Sequence, residues 1–157
     1  MRPLTLVTDA PLSPRDRAVL FGAMTRVGLS PTEARLTSVV PQSSYTTYRA
    51  AHNRPAFLHS LGTPVVIVPM GTDALYNLMG LRPSTLYRGL LPPSWAKDIV
   101  LGPETHAPTL PASLEWVVPT VAPGSVFGTG SAFLLETDLD RARRALVGQL
   151  QIVGGAG

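Results

Sequence analysis

The sequence predicts a three-layer α/β sandwich: a central, mainly parallel four-stranded sheet with helices on both faces. Three observations predict it. Four short runs, LTLV (4–7), LTSVV (36–40), VVIVP (65–69) and WVVP (116–119), are largely apolar without strict alternation, as in strands covered on both sides. Segments with apolar residues at helical spacing lie between and after them, the alternation expected of a parallel sheet. Sixteen prolines and fourteen glycines concentrate in the connections, where they punctuate turns.

In chain order, LTLV is the first strand. Ser13-Pro14-Arg15-Asp16 then reads as an N-cap, a first-turn proline and an acid facing the positive end of a helix dipole. The helix runs over 14–27, with Leu20, Ala23, Met24 and Val27 at helical spacing and Gly28 as its stop. LTSVV is the second strand, and a helix over 55–61 precedes VVIVP, the third. That strand ends at Gly71, and Thr72 and Asp73 open a helix reaching Met79. The proline-rich stretches 90–95 and 101–113 read as loops. WVVP is the fourth strand. In a last helix after Thr137, Leu135, Leu139, Ala142 and Leu146 line one face, while Arg141, Arg143 and Arg144 fall mostly outside it. Residues 1–150 form one domain, and QIVGGAG (151–157) is expected to fray.

A chain of 157 residues buries about two thirds of its unfolded surface without disulfides or metals. At 45% hydrophobic and 15% charged residues, with a mean hydropathy of +0.19, it is apolar enough to leave surface for a protein partner. No run reaches the ~18 apolar residues of a membrane span, and the N-terminus enters a strand with no signal-peptide core, so a cytoplasmic protein with no membrane partner is expected. Zero cysteines exclude thiolate catalysis and Cys-ligated zinc or iron–sulfur clusters, and three scattered histidines argue against a metal site. No cofactor is expected. The net charge is +3, carried almost entirely by arginine. Arginine suits phosphates and base edges, although GC-rich codon usage produces the same bias.

In open α/β sheets ligands bind beyond the carboxyl ends of the strands. The rule selects 8–12, 41–48, 70–73 and 120–130 as one rim. Asp9 on it reads either as a site carboxylate or as an exposed turn residue before Pro11. Tyr45 and Tyr48 offer a stacking face or surface anchors. His52, His59 and His106 read as surface, capping or solvated loop groups. Gly124, Gly128 and Gly130 fit neither the Rossmann nor the P-loop spacing.

Two segments carry a family resemblance. VVIVPMGTDALYNLMGLRPSTLYRG (65–89), an apolar strand ending at a glycine, then a helix and an Arg-Gly pair, resembles the middle of the uracil-DNA glycosylase superfamily. WVVPTVAPGS (116–125) resembles its closing motif, in which a strand ending in Pro-Thr leads to a His-Pro-Ser loop; here Ala122 takes the histidine's place. Thr8-Asp9-Ala10-Pro11 is similar to the acid-containing first loop of the thermophilic and phage polymerase-associated branches. Ser38-Val39-Val40 stands where the family has Asn-Val-Val, and Asn53-Arg54 with Pro55 resembles an Asn-Arg-x-Pro segment whose usual cluster-binding cysteines are absent here.

The resemblance implies a DNA partner, duplex or single-stranded, in the cytoplasm of a bacterium or phage-infected host, and hydrolysis of the N-glycosidic bond of an extruded base. It makes Asp9 the catalytic carboxylate and Ala10, Pro11, Ser38 and Ala122 the base pocket. Gly71, Thr72, Arg88, Gly124, Ser125, Val126 and Phe127 would meet DNA, with Val126 or Phe127 as a minor-groove wedge. Ser38 reads equally as a small buried strand residue, Arg88 as a loop anchor and Phe127 as a lid over the core. Loss of the histidine implies weakened or redirected catalysis, because it removes a donor to the departing base. Only Leu12 and Ser13 separate Pro11 from Pro14, leaving no room for the family's base-stacking insertion. A non-catalytic phage replication or assembly module on the same scaffold is the alternative.

Overall fold

β1 (Leu4–Thr8) is buried along its whole length because it has a neighbour on each edge and a helical layer on each face. The computed structural model describes residues 3–82, 87–126 and 132–148. β2 (Ala34–Ser38) and β3 (Val66–Met70) both run parallel to β1 with residue-for-residue register, Leu4 facing Ala34 and Val66, and Thr8 facing Ser38 and Met70. A short outer strand at Trp116–Val117 pairs in parallel with β3. Among the described residues the sheet therefore has the order β2, β1, β3, outer strand, and all its strands are parallel.

Period-two alternation divides the core. Leu4, Leu6, Val66, Val68 and Met70 pack with Leu20 and Met24 of α1 (Pro14–Val27) and with Leu135 and Leu139 of α4 (Ala132–Leu146). Val7 and Ile67 point the other way, onto Ala50 and Phe57 of α2 (Thr47–Ser60) and Leu75 and Leu78 of α3 (Thr72–Met79). Thr5 is fully buried on this second side, and its hydroxyl donates to the Leu61 carbonyl at 2.9 Å, which meets the cost of burying a polar group. The three expected layers are present.

Several boundaries differ from the sequence expectation for physical reasons. β2 ends at Ser38, and Val39 and Val40 instead cap the α2–α3 side of the core, their amides donating to the Thr8 and Asp9 carbonyls at 2.9 and 3.2 Å. The second helix was expected to begin at Pro55. It begins at Thr47, where the Thr46 side chain accepts from Arg49 N–H at 3.1 Å, and Pro55 is accommodated inside it. The cap and the buried face of Ala50, Arg54 and Phe57 outweigh the proline's preference for a first turn. α4 starts at Ala132 rather than after Thr137. An antiparallel hairpin, β4 (Ile99–Leu101) and β5 (Glu104–His106), reaches into the expected loop 101–113, its strands too short to display alternation. The outer sheet strand that follows is β6 (Trp116–Val117). The expected frayed tail, 151–157, lies outside the described residues. Among the described residues no helix is long and apolar enough to cross a membrane.

α3 stops at Gly80, which adopts φ 70° and donates its N–H to the Tyr76 carbonyl. A Cβ there would sit 2.4 Å from the Lys97 carbonyl oxygen and 2.8 Å from that of Asp98, so the chain leading into β4 crosses directly over the helix end. Gly80→Ala combines left-handed backbone strain with a clash against main chain that cannot swing aside. It is expected to destabilise the fold by ~3 kcal/mol, measured by urea unfolding.

Candidate functional site

The parallel register delivers the turns after β1, β3 and β6 to one edge. Asp9 follows β1 directly, Gly71 follows β3, and Gly71 N–H donates to the Thr120 carbonyl at 3.0 Å, extending the bridge between Met70 and Thr120. Gly71 has φ 109°, a conformation open mainly to glycine. A Cβ at this position would lie 3.5 Å from the Ala122 methyl and 3.5 and 3.6 Å from the two Asp9 carboxylate oxygens. Asp9 and Ala122 thus flank a single point. Together with Thr8, Pro11, Met70, Gly124 and Ser125 they border a cleft of about 230 Å³.

Asp9 is tied to the helix that leaves this edge. Ala74 N–H, in the first turn of α3, donates to Asp9 Oδ1 at 2.8 Å, so the carboxylate caps α3 from another part of the chain. Burial pushes the Asp9 carboxyl up to about 6 from an ordinary 3.8, the Asp73 carboxylate adds to the rise, and the Ala74 hydrogen bond partly offsets both. Such a group is ionised at neutral pH yet changes charge just below it, which suits proton handling.

Asp16 also lines the cleft, and sequence reasoning assigned it only to the helix dipole. Its Oδ2 would lie 2.9 Å from a Cβ at Gly124. The available signal was spacing: Ser13, whose side chain accepts from Asp16 N–H at 3.1 Å, starts α1 so soon after Pro11 that the third helical residue stays at the rim. Arg17, exposed in the same turn, borders an adjoining cleft of about 110 Å³ with Ser38, Thr37 and Leu36. The two clefts share Thr8, Pro11 and Leu12.

The remaining predicted residues divide. Ala10 lines the Asp9 cleft and packs against the core on the α2–α3 side, and its carbonyl accepts from the Thr8 hydroxyl at 2.7 Å. Ser38 reaches the adjoining cleft, but its hydroxyl donates to the Val40 carbonyl at 2.6 Å. Thr72 is exposed on the rim. Ser125 donates its hydroxyl to the Ala122 carbonyl at 2.8 Å, and Val126 packs against the α1–α4 core. Arg88 is bonded through Nη2 to Asp138 Oδ2 at 2.5 Å, while Arg141 holds the other oxygen of the same fully buried carboxylate at 2.9 Å. Arg88 therefore fastens its loop to α4. Phe127, Gly128 and Gly130 lie outside the described residues. The Tyr45 hydroxyl accepts from Asn77 Nδ2 at 2.9 Å, whereas Tyr48 is 78% exposed and stacks on His52. Asn53 Nδ2 donates to the Val39 carbonyl at 2.9 Å, and Arg54 Nη1 to the Asn77 carbonyl at 3.1 Å, so the Asn-Arg-x-Pro segment ties α2 to its neighbours. Among the described residues no group of three or more His, Asp or Glu side chains could hold a metal ion.

The sequence matches no protein-family model and no curated protein.

The Asp9 environment has a thermodynamic signature. Its carboxyl titrates higher in the fold than in the open chain, so the neutral form is favoured by folding and that advantage disappears as pH rises from about 4 through about 6. Asp9→Asn removes the cost of ionisation. Relative to wild type, the variant is expected to gain ~1 kcal/mol above pH ~7, after allowance for the group's partial exposure, and nothing below pH ~4. Denaturant unfolding across this range checks both limits.

Proposed function

We propose that the chain is a DNA-binding protein that hydrolyses the N-glycosidic bond of an extruded, uracil-like or modified base, with Asp9 acting at the sugar and with catalysis weakened or redirected relative to the superfamily it resembles. The observation that carries this reading is the convergence of the Asp9 carboxylate and the Ala122 methyl on one point beside Gly71, at the carboxyl edge of a parallel sheet. Those are the positions that the resemblance assigns to the carboxylate and the histidine.

Each group then has a task. Glycosidic cleavage passes through a cationic sugar and releases an anionic base. The Asp9 carboxylate, ionised above about pH 6, stabilises the cation and orients the attacking water, and Asp16 adds negative charge to the same cleft. The Ala122 methyl supplies no donor to the base, an omission that typically costs a hundredfold to a thousandfold in rate. Bases that leave readily as anions are therefore favoured over uracil. Carboxylates at the mouth repel phosphates, so backbone contacts fall to its margin, where Arg17 is exposed beside the adjoining cleft.

The test is abasic-site formation on oligonucleotides carrying uracil, hypoxanthine, xanthine or hydroxymethylated pyrimidines, scored by alkaline cleavage. At least one modified base is expected to be released, at a rate that rises through pH ~6, and Asp9→Asn is expected to lower that rate by ~100-fold or more with DNA affinity kept. A wild-type protein inert on the whole panel, and without salt-dependent DNA binding, would replace this reading with a non-catalytic interaction module on the same scaffold.

A further inference from the structure

A second cavity lies away from the Asp9 cleft, between α2 and the β4–β5 hairpin. It measures about 570 Å³, within the range of small-molecule pockets. Ala51, Pro55, Leu58 and Ala107 give it apolar walls, and Arg54 and His106 stand among its polar ones with Glu104, Thr105 and Thr109. Arg54 is only 5% exposed. Its Nη1 donates to the Asn77 carbonyl, but Nη2 is buried with no hydrogen-bond partner, and so is His106 Nε2. Arg54 forms none of the ion pairs found among the described residues, and Glu104, the acid on this wall, is exposed. A buried guanidinium without a counter-ion is costly, and burial draws the Arg54 pKa below its ordinary value.

We infer that this cavity is a binding site for a small organic anion, a carboxylate or phosphate group on an apolar body, whose oxyanion is held between Arg54 and His106. The planar guanidinium fork matches either oxyanion, and the imidazole adds a donor when its free nitrogen carries a proton. Both residues line the cavity while their unpartnered nitrogens are closed to solvent, so the ligand reaches them as the hairpin draws back from α2. β5 permits this because among the described residues it pairs with β4 alone and its Glu104 and Thr105 are exposed.

Thermal unfolding of the full chain, titrated at fixed ionic strength with sodium benzoate and separately with sodium phosphate, tests the site with chloride as the reference. A saturable rise in Tm is expected with at least one probe; benzoate alone would mark a carboxylate ligand and phosphate alone a phosphate ester. Arg54→Met is expected to fold with a lowered Tm in chloride, because the Asn77 carbonyl loses its donor, and to lose the response. His106→Phe should retain it with affinity lowered about tenfold, the loss of one charge-assisted bond. Should Arg54→Met not fold, Arg54→Lys keeps the charge without the fork and is expected to weaken binding by about tenfold or more. The inference is overturned if neither probe gives a saturable response, or if the Arg54 variant that folds responds as wild type does.

Discussion

The arrangement depends on β1 being paired on both edges, residue for residue, from Leu4 to Thr8. In a parallel sheet with unbroken register, the residues that follow aligned strand ends emerge at the same height. Asp9 after Thr8 and Gly71 after Met70 are therefore neighbours by construction. The bridge from Met70 to Thr120 carries the alignment one strand further, although β6 is short, and brings Ala122 within reach. A slip of one residue in β3 would turn Ile67 toward α1 and Val66 toward α3. The opposing cores, which share no buried residue, guard the geometry of the mouth.

Electrostatics at that mouth set opposing effects against each other. The first turn of α3 attracts negative charge, and Asp9 accepts one of its free amides. Asp73, in the same turn, repels it, and burial removes the water that would support the ion. The net result is a carboxylate fixed in direction but less comfortable ionised than an exposed one. Asp9 is thus both a cap, which gives α3 its position, and a group whose charge is tuned by that position. Two of the amides at this helix start are already committed, Gly71 to Thr120 and Ala74 to Asp9.

Much of this was legible in the sequence, and the reasons it stopped being so are local. α1 and α3 carried boundaries of their own: Ser13 and Pro14 at the start of α1 and Gly28 at its stop, and Gly71 with Thr72 at the opening of α3. The apolar strand cores revealed the parallel sheet and hence the rim that unites Asp9, Gly71 and Ala122. The start of α2 was missed because Pro55 is a stronger local signal than Thr46, and only packing shows which prevails. The hairpin was missed because three-residue strands have no period to detect. Asp16, read as a dipole acid, and Arg54, read only as part of a family-like segment, were legible only in part, for a different reason. A charged residue on a helix reads as solvated until the fold shows which elements cover it, and neither its burial nor the absence of a partner is written in spacing.

α3 is the element that connects these regions. Its first turn receives the Asp9 carboxylate, and the Asn77 carbonyl, farther along, receives Arg54. Between them the Asn77 amide donates to the Asp73 carbonyl and meets the Tyr45 hydroxyl, each at 2.9 Å. Tyr45 in turn sits close enough to Asp73 and Asp9 for both carboxylates to raise its pKa, after the larger effect of burial. One short helix is therefore held at its start by a negative group and in its second half by a positive one, each arriving from a different strand or helix. The signs match the helix dipole at both places: an acceptor at the amide end, a donor on a carbonyl toward the other. Gly80 adds the crossing main chain as a third restraint. With its position fixed from three directions, α3 can hold the Asp9 carboxylate still without the side chain being packed on every side, which leaves one flank of that carboxylate facing the cleft.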